Sequence, residues 1–296
     1  MERPIDPDLI LRPRPPSPLR EVRDERFERH GVRLLLKRDD LVHPELPGNK
    51  WRKLAPNLRA AVAGGYPGLV TFGGAYSNHL RATAAAGRLL GMATVGIVRG
   101  DELARRPLNE SLARCAADGM RLHFVSRSAY RDKAGLPAEA GAGDAYVIPE
   151  GGSNALALTG CAELGRELRG GCDVAAVACG TGGTLAGLAA GLDAGQRAVG
   201  VPVVGGGFLE AEIRSLQTAA FGGPAGDWSL AEGFAHGGYA RVPEALSAFA
   251  ADFGARHGLP VERIYVAKLL WALLALTREG AFPEGTTLAA VVTGRP

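Results

Sequence analysis

From Leu69 to Val204 the chain alternates short apolar runs with helix-periodic segments, and glycine-rich turns separate them. The runs Leu69–Phe72, Thr94–Val98, Arg121–Val125, Ala145–Ile148, Val174–Ala178 and Val199–Val204 read as strands. The segments His79–Leu90, Leu108–Asp118, the stretch after PEGGSN to about Leu168, and Leu185–Leu192 read as helices. Strands that recur with helices between them specify a mainly parallel, twisted sheet covered on both faces. The expected fold class is therefore α/β.

The flanks fit the same plan. Val32–Lys37 reads as a strand entering a polar turn, and Trp51, Leu54, Leu58 and Val62 have helical spacing from Asn49 to Ala63. After glycine-rich breaks at 140–143 and 205–207, helices are expected over Leu209–Ala220, Pro243–His257 and Val266–Arg278, and a last strand over Thr287–Val292. The proline-rich opening up to Leu19 should be extended. No repeat of solenoid period is present.

Composition excludes several classes. The 296 residues are enough for two domains at roughly 100–200 residues each. The apolar share of 46% and charged share of 22% are those of a globular protein. The net charge of +3 is spread without a dense basic run, which argues against a nucleic-acid partner. No apolar run reaches the ~18 residues of a membrane helix, and the opening residues lack the apolar stretch of a signal peptide. Cys115, Cys161, Cys172 and Cys179 follow no Cys-x-x-Cys spacing, as expected of reduced, mostly buried thiols in a cytoplasmic protein without a metal centre.

Three turns carry residues suited to chemistry, and in open α/β sheets ligands collect where strands give way to helices. Gly180-Thr181-Gly182-Gly183-Thr184 joins an apolar strand to an Ala-rich helix. Its glycines admit a close anion, its hydroxyls add donors, and the helix start adds partial positive charge, so it is a candidate phosphate loop or simply a flexible turn. It matches neither a P-loop nor the dinucleotide fingerprint. Gly73-Gly74-Ala75-Tyr76-Ser77-Asn78-His79 opens a helix, where Ser77 and Asn78 suit either a helix cap or a ligand. In Gly48-Asn49-Lys50-Trp51-Arg52-Lys53, Lys50 and Lys53 share a helix face. They are either solvated or, with a neighbouring cation and an apolar wall, a nucleophilic amine.

These turns in this order, with Ile148-Pro-Glu-Gly-Gly-Ser-Asn-Ala155 between the second and third along the chain, resemble the 1-aminocyclopropane-1-carboxylate deaminase and D-cysteine desulfhydrase family. Those enzymes depend on pyridoxal 5′-phosphate (PLP) and share the tryptophan-synthase-β fold, fold type II. The resemblance is strong from about Leu35 to Leu192, through KRDDL, GNKxRKL and SNHxRxTAAxxxxLG. It is weaker through Phe234–Tyr239, Tyr265–Lys268 and Thr293-Gly294.

The resemblance implies that Lys50 carries PLP covalently, that Lys53 lies near its phosphate, and that Gly180, Thr181, Gly182, Gly183 and Thr184 bind that phosphate. It implies that Asn78 meets the ring hydroxyl and that Thr293 lies beside the pyridine nitrogen. Ser77, Asn78, His79, Tyr239 and Tyr265 are then substrate-facing, with Lys50, Ser77, Tyr239 and Tyr265 catalytic. It implies a cytoplasmic homodimer acting on a small amino acid. The expected architecture is a large PLP-binding domain, 1–52 with 149–296, and a small inserted domain, 53–148, with the cofactor between them. The Lys50 and Gly180 turns would belong to the large domain.

Three departures bear on activity. Val266 stands where the deaminases carry a glutamate and the desulfhydrases tend to carry a threonine, which argues against cyclopropane deamination. Tyr76 replaces the usual glutamine, so the pocket is altered. The chain stops at Pro296, where the family continues, so a more open pocket or one completed by a partner subunit is expected. A D-cysteine desulfhydrase-like β-elimination leads. Cyclopropane deamination is the alternative within the class, and a non-catalytic anion- or nucleotide-binding α/β protein is the alternative outside it.

Overall fold

The computed structural model describes residues 6–46, 48–205 and 207–295. The first five residues of the expected arm, one residue of the 205–207 break and Pro296 lie outside them.

In chain order the elements begin with helix α1 (Pro7–Leu11), strand β1 (Leu19–Val22), α2 (Glu25–Glu28), β2 (Arg33–Lys37) and α3 (Lys50–Ala63). The alternation follows as β3 (Gly68–Gly73), α4 (Asn78–Leu90), β4 (Ala93–Arg99), α5 (Glu110–Ala117), β5 (Met120–Val125), α6 (Leu136–Glu139) and β6 (Tyr146–Ile148). It continues as α7 (Ala155–Arg166), β7 (Val174–Cys179), α8 (Gly183–Gly191) and β8 (Arg197–Pro202). The chain closes with α9 (Leu209–Phe221), β9 (Asp227–Leu230), α10 (Glu244–His257), α11 (Val266–Arg278) and β10 (Thr287–Val291).

One expectation is corrected. The arm is helical over α1, not extended, because the prolines that exclude helix come after it. Pro7 sits at the helix start, where a missing N–H costs nothing, and the Asp6 carboxylate accepts the Asp8 N–H at 3.0 Å.

Two compact units result. The first is Met1–Pro13 with His43–Ala157, and the second is Arg14–Val42 with Leu158–Pro296. The first unit is wider than 53–148 and takes in Lys50. His43 supplies the physical reason at that end. Its Nε2 lies 2.7 Å from the Leu11 carbonyl, its Nδ1 accepts from Glu45 and Leu46, and its ring stacks on Trp51 of α3.

The first unit is built on a four-stranded, all-parallel sheet in the order β5-β4-β3-β6. Val70, Phe72, Val95, Ile97 and Val125 pack with Tyr130 and Leu136. Leu80 and Ala84 of α4 pack with Val98, Met120 and, from α5, Leu112 and Cys115.

The second unit holds a six-stranded sheet in the order β1-β2-β10-β7-β8-β9, parallel except for the edge strand β1, which runs antiparallel to β2. Successive residues point to opposite faces. Leu34, Leu36, Ala176, Val199, Val201 and Leu288 therefore meet α10 and α11, while Leu35, Ala175, Val177, Ala198 and Ala289 meet α7, α8 and α9. Both sets are buried, which explains the continuous apolar runs.

The glycines of the α8 run serve packing. A β-carbon on Gly187 would lie 2.4 Å from that of Cys161, and one on Gly191 would lie 2.0 Å from the Ala162 carbonyl. Helices α7 and α8 therefore pack almost backbone to backbone. The four cysteines are buried, and burial pushes the Cys115 and Cys172 thiols up to about 11. Among the described residues, no helix is long and apolar enough to cross a membrane.

Candidate functional site

In the first unit, α3 begins at Lys50, which is half-buried, one residue after Asn49. One turn on, Lys53 is 3% exposed, and its ammonium donates to Ser153 Oγ at 2.9 Å and to the Gly151 carbonyl at 3.3 Å. Asn57, one turn further, exchanges amide hydrogen bonds with Asn154 at 2.7 and 3.2 Å and accepts one from the Tyr146 hydroxyl. The Pro-Glu-Gly-Gly-Ser-Asn turn is thus tied to the first two turns of α3, and this fixes where the helix presents Lys50.

The turn from β3 into α4 is held by small residues. A β-carbon on Gly73 would come within 2.7 Å of Ser77 Cβ and Oγ, so only glycine lets the turn close. Ser77 caps α4, its hydroxyl accepting the Leu80 N–H at 3.2 Å, and Asn109 donates to the Ala75 carbonyl. Ser77 and Asn78 are half-buried at the helix start, and Tyr76 is exposed at the turn's tip.

His79 is enclosed at 1% exposure. Its Nε2 lies 2.8 Å from Thr71 Oγ1, and Thr71 in turn donates to the Ile148 carbonyl at 2.8 Å. Because that hydroxyl proton is spent on Ile148, Thr71 accepts from His79, so Nε2 carries the ring proton and Nδ1 is bare. Nδ1 is buried without a hydrogen-bond partner among the described residues. Burial, followed by the charges of Lys50 and Lys53, holds the imidazole well below its ordinary range, so the ring is neutral. The two lysines and His79 therefore share one electrostatic neighbourhood.

In the second unit, α8 starts at Gly183, and its N-cap residue Gly182, at φ 75°, has no side chain with which to cap the first N–H groups. N–H donors at the positive end of a helix, together with the Thr181 and Thr184 hydroxyls of the same turn, are the donor set a phosphate requires. The residues present fit that group. Gly180 has the Tyr265 ring beside it, within 3.5 Å of where its β-carbon would be. Tyr265 immediately precedes α11, and its ring meets that of Tyr239 edge-on at 6.0 Å.

Thr293 is half-buried two residues past β10. The register Ala290↔Ala176, carried three residues further, sets it level with Cys179 at the mouth of the same loop. Val266 is 1% exposed and belongs to the apolar core.

Residues that the turns do not announce complete each cluster. Thr71 fixes His79, Gly152 leaves room for its ring, and Glu262 and Lys268 hold the surroundings of Tyr265 and Tyr239. The run Tyr265–Lys268 carried a trace of the last of these. Thr71 and Glu262 had no local signal, because each acts on a partner supplied by the fold.

The family model for pyridoxal-phosphate dependent enzymes matches residues 10–294. A Thermotoga maritima protein named "Putative 1-aminocyclopropane-1-carboxylate deaminase" is 35% identical over 209 residues, 67% of this chain and 64% of its own length. The mitochondrial bifunctional D-cysteine desulfhydrase/1-aminocyclopropane-1-carboxylate deaminase of Arabidopsis thaliana is 34% identical over 184 residues, 55% of this chain and 45% of its own. The chain thus spans less than two thirds of the length of either relative. A crystal structure of an ACC deaminase homologue superposes with a TM-score of 0.80 at 25% identity, over 98% of this chain and 94% of that one. The architecture is that of fold type II.

Proposed function

Because this chain belongs to the family of pyridoxal-phosphate dependent enzymes, we propose that it performs β-elimination or deamination on a small amino acid, with Lys50 as the residue that carries the cofactor. The observation that carries this reading is the placement of Lys50. It begins a helix whose first two turns are pinned to the Glu150–Asn154 turn, and its charge helps keep a buried histidine neutral.

When bound, PLP supplies an electron sink for charge developing at the substrate's α-carbon. The protein's own groups then have defined tasks. Gly180–Thr184 receives the phosphate through the donors at the start of α8. Thr293 would hold the pyridine-nitrogen side of the cofactor, where a hydroxyl would leave that nitrogen largely unprotonated, and Asn78 would hold its ring hydroxyl. Ser77 and the first N–H groups of α4 receive the substrate carboxylate. The Lys50 amine would be the base that takes the substrate's α-proton. Tyr239 and Tyr265, whose rings meet edge-on, face the substrate.

The absence of a carboxylate at Val266 supports elimination from a D-amino acid with a β leaving group over opening of a cyclopropane ring. A D-cysteine desulfhydrase-like activity is the leading reading, and the names of the relatives keep 1-aminocyclopropane-1-carboxylate as the alternative substrate. The same reading makes the protein a cytoplasmic homodimer.

Two measurements test this. The purified protein, supplied with PLP, should absorb in the visible, and borohydride should fix the chromophore to Lys50. A colourless protein, or a chromophore retained in Lys50→Ala, rejects the assignment in favour of a non-catalytic anion binder. Sulfide from D-cysteine supports elimination, whereas 2-oxobutanoate from the cyclopropane acid without sulfide from D-cysteine reverses the choice of substrate.

A further inference from the structure

Between β9 and α10 the chain runs through Phe234-Ala-His-Gly-Gly-Tyr239-Ala240, a segment of costly backbone geometry. His236 and Ala240 have φ of 52° and 59°, and Gly237 and Gly238 between them have 87° and 116°. Non-glycine residues in the left-handed region persist only where their surroundings hold them there.

Here the surroundings are one face of α11 and its approach. Residues 265, 268 and 271 are spaced three apart and therefore share that face. Tyr265 meets Tyr239 edge-on at 6.0 Å. Trp271 meets His236 edge-on at 5.6 Å. Between them Lys268, with 0% exposure, donates from Nζ to the carbonyls of Ala235 and Gly238, each at 2.8 Å. Buried lysines need such partners, and here two are backbone oxygens of this loop, one just before the left-handed run and one within it.

The helix end is itself fixed. The Glu262 carboxylate accepts N–H groups from Ile264, Tyr265 and Val266 at 2.7, 2.7 and 3.1 Å. Tyr265 and the loop bearing Tyr239 are thus referenced to the same turn of α11, one by a carboxylate and the other by an ammonium.

We propose that Lys268 is a positioning residue for substrate recognition, holding the 235–238 backbone so that Tyr239 stands against Tyr265. This rests on the reading of the two tyrosines as substrate-facing. Lys268 itself touches no reacting atom; it acts through Tyr239.

The test uses the PLP-loaded protein and two readouts. In the unaltered protein, the amides of residues 235–241 should exchange with deuterium at least about tenfold slower than an unstructured peptide. In Lys268→Met they should speed up by about tenfold while α11 stays protected and the visible band at Lys50 remains. KM for D-cysteine should rise about tenfold with kcat within about twofold, as expected for lost binding, not lost chemistry. Tyr239→Phe should raise KM in the unaltered background and add nothing in Lys268→Met, and Lys268→Arg should recover part of the protection. Unchanged loop exchange in Lys268→Met, or a loosened loop with KM unmoved, overturns the proposal. Should Lys268→Met fail to fold, loop amides that exchange freely in the unaltered protein overturn it and protected ones support it. A protein without a visible band refutes the Lys50 reading instead, and loop exchange still decides on Lys268.

Discussion

Thr71 Oγ1 lies 2.8 Å from His79 Nε2 and spends its own proton on the Ile148 carbonyl, so one hydroxyl selects the tautomer of a buried imidazole. Nitrogen-15 spectra of the protein should show His79 protonated at Nε2 and bare at Nδ1, without titration down to mildly acidic pH. Unfolding exposes a ring of ordinary pKa, 6.5, while the folded ring stays well below it. Below 6.5 the unfolded chain therefore binds the extra proton, and stability present above that pH is lost as pH falls. The slope is roughly 1.4 kcal/mol per pH unit from this one group. The difference in stability between the native protein and His79→Gln should shrink by that slope. Thr71→Val, which strands the Nε2 proton, should cost about 1–3 kcal/mol. A ring that titrates near its ordinary value would refute the tautomer argument.

The Gly180–Thr184 turn makes a sharper prediction, because its glycines are not equivalent. Gly182 has φ 75°, and a β-carbon there would lie 2.5 Å from Ile213 Cγ1 in a fully buried contact. Gly182→Ala should destabilise the fold by about 1–3 kcal/mol and weaken PLP binding, since the backbone at the start of α8 must move. A β-carbon on Gly180 would meet the Tyr265 ring at 3.5 Å, an ordinary contact. Gly180→Ala should leave stability within about 0.5 kcal/mol. Thermal unfolding and PLP titration of the two variants check this. Equal effects would contradict it.

The same contrast explains what the sequence could reveal. Strands β3, β4, β7, β8 and β10 announced themselves because burial on both faces leaves their central residues mostly apolar, and the turns after β3 and β7 because they need glycine and hydroxyl residues. β1 did not, since only Val22 of its four residues is buried at an antiparallel edge. β9 is another edge strand whose Trp228 and Leu230 are half-buried. Thr71, Glu262 and Lys268 look like ordinary strand, loop and helix residues, and their tasks arise from carbonyls and rings that the fold brings to them. Lys53 carries a locally visible charge, yet the Gly151 carbonyl and Ser153 hydroxyl that accept from it lie about a hundred residues away. No local pattern encodes such a pairing.

Asp24 joins the start of α2 to the end of α10. Its carboxylate takes a two-pronged hydrogen bond from Arg26 and one from His257 Nε2 at 2.8 Å, with its side chain 1% exposed. Burial opposes its ionisation, but the hydrogen bonds from Arg26 and His257 outweigh that and hold the carboxyl well below the ordinary carboxylate range. With the folded value depressed, the stabilisation is complete above the unfolded value of 3.8 and is lost as pH falls through the folded one. Asp24→Asn should cost about 1–3 kcal/mol at neutral pH and flatten the acid limb of the stability curve. Denaturant unfolding from pH 7 to pH 3 checks both, and a parallel pair of curves would exclude the linkage.

Lys37 of β2 tests how the proline-rich arm is held. Its ammonium is 2% exposed and lies 2.6 Å from Glu167 Oε2 and 2.6 Å from the Ser17 carbonyl. Ser17 returns its N–H to Glu167 and its hydroxyl to Asp39, so one arm residue is fixed from three directions. Lys37→Met removes the cation and leaves a largely enclosed carboxylate, together with the Ser17 carbonyl, without its main partner. The cost should be about 3–5 kcal/mol, because stranding a buried charge is worse than never having had the pair. Glu167→Met alone should cost a similar amount by stranding the lysine. The double variant Lys37→Met/Glu167→Met should lose clearly less than the sum, with a coupling of about 2 kcal/mol or more in a double-mutant cycle. Strict additivity would mean that solvent, not the partner, neutralises each charge, and the arm's anchoring would then have to come from the Ser17–Asp39 hydrogen bond.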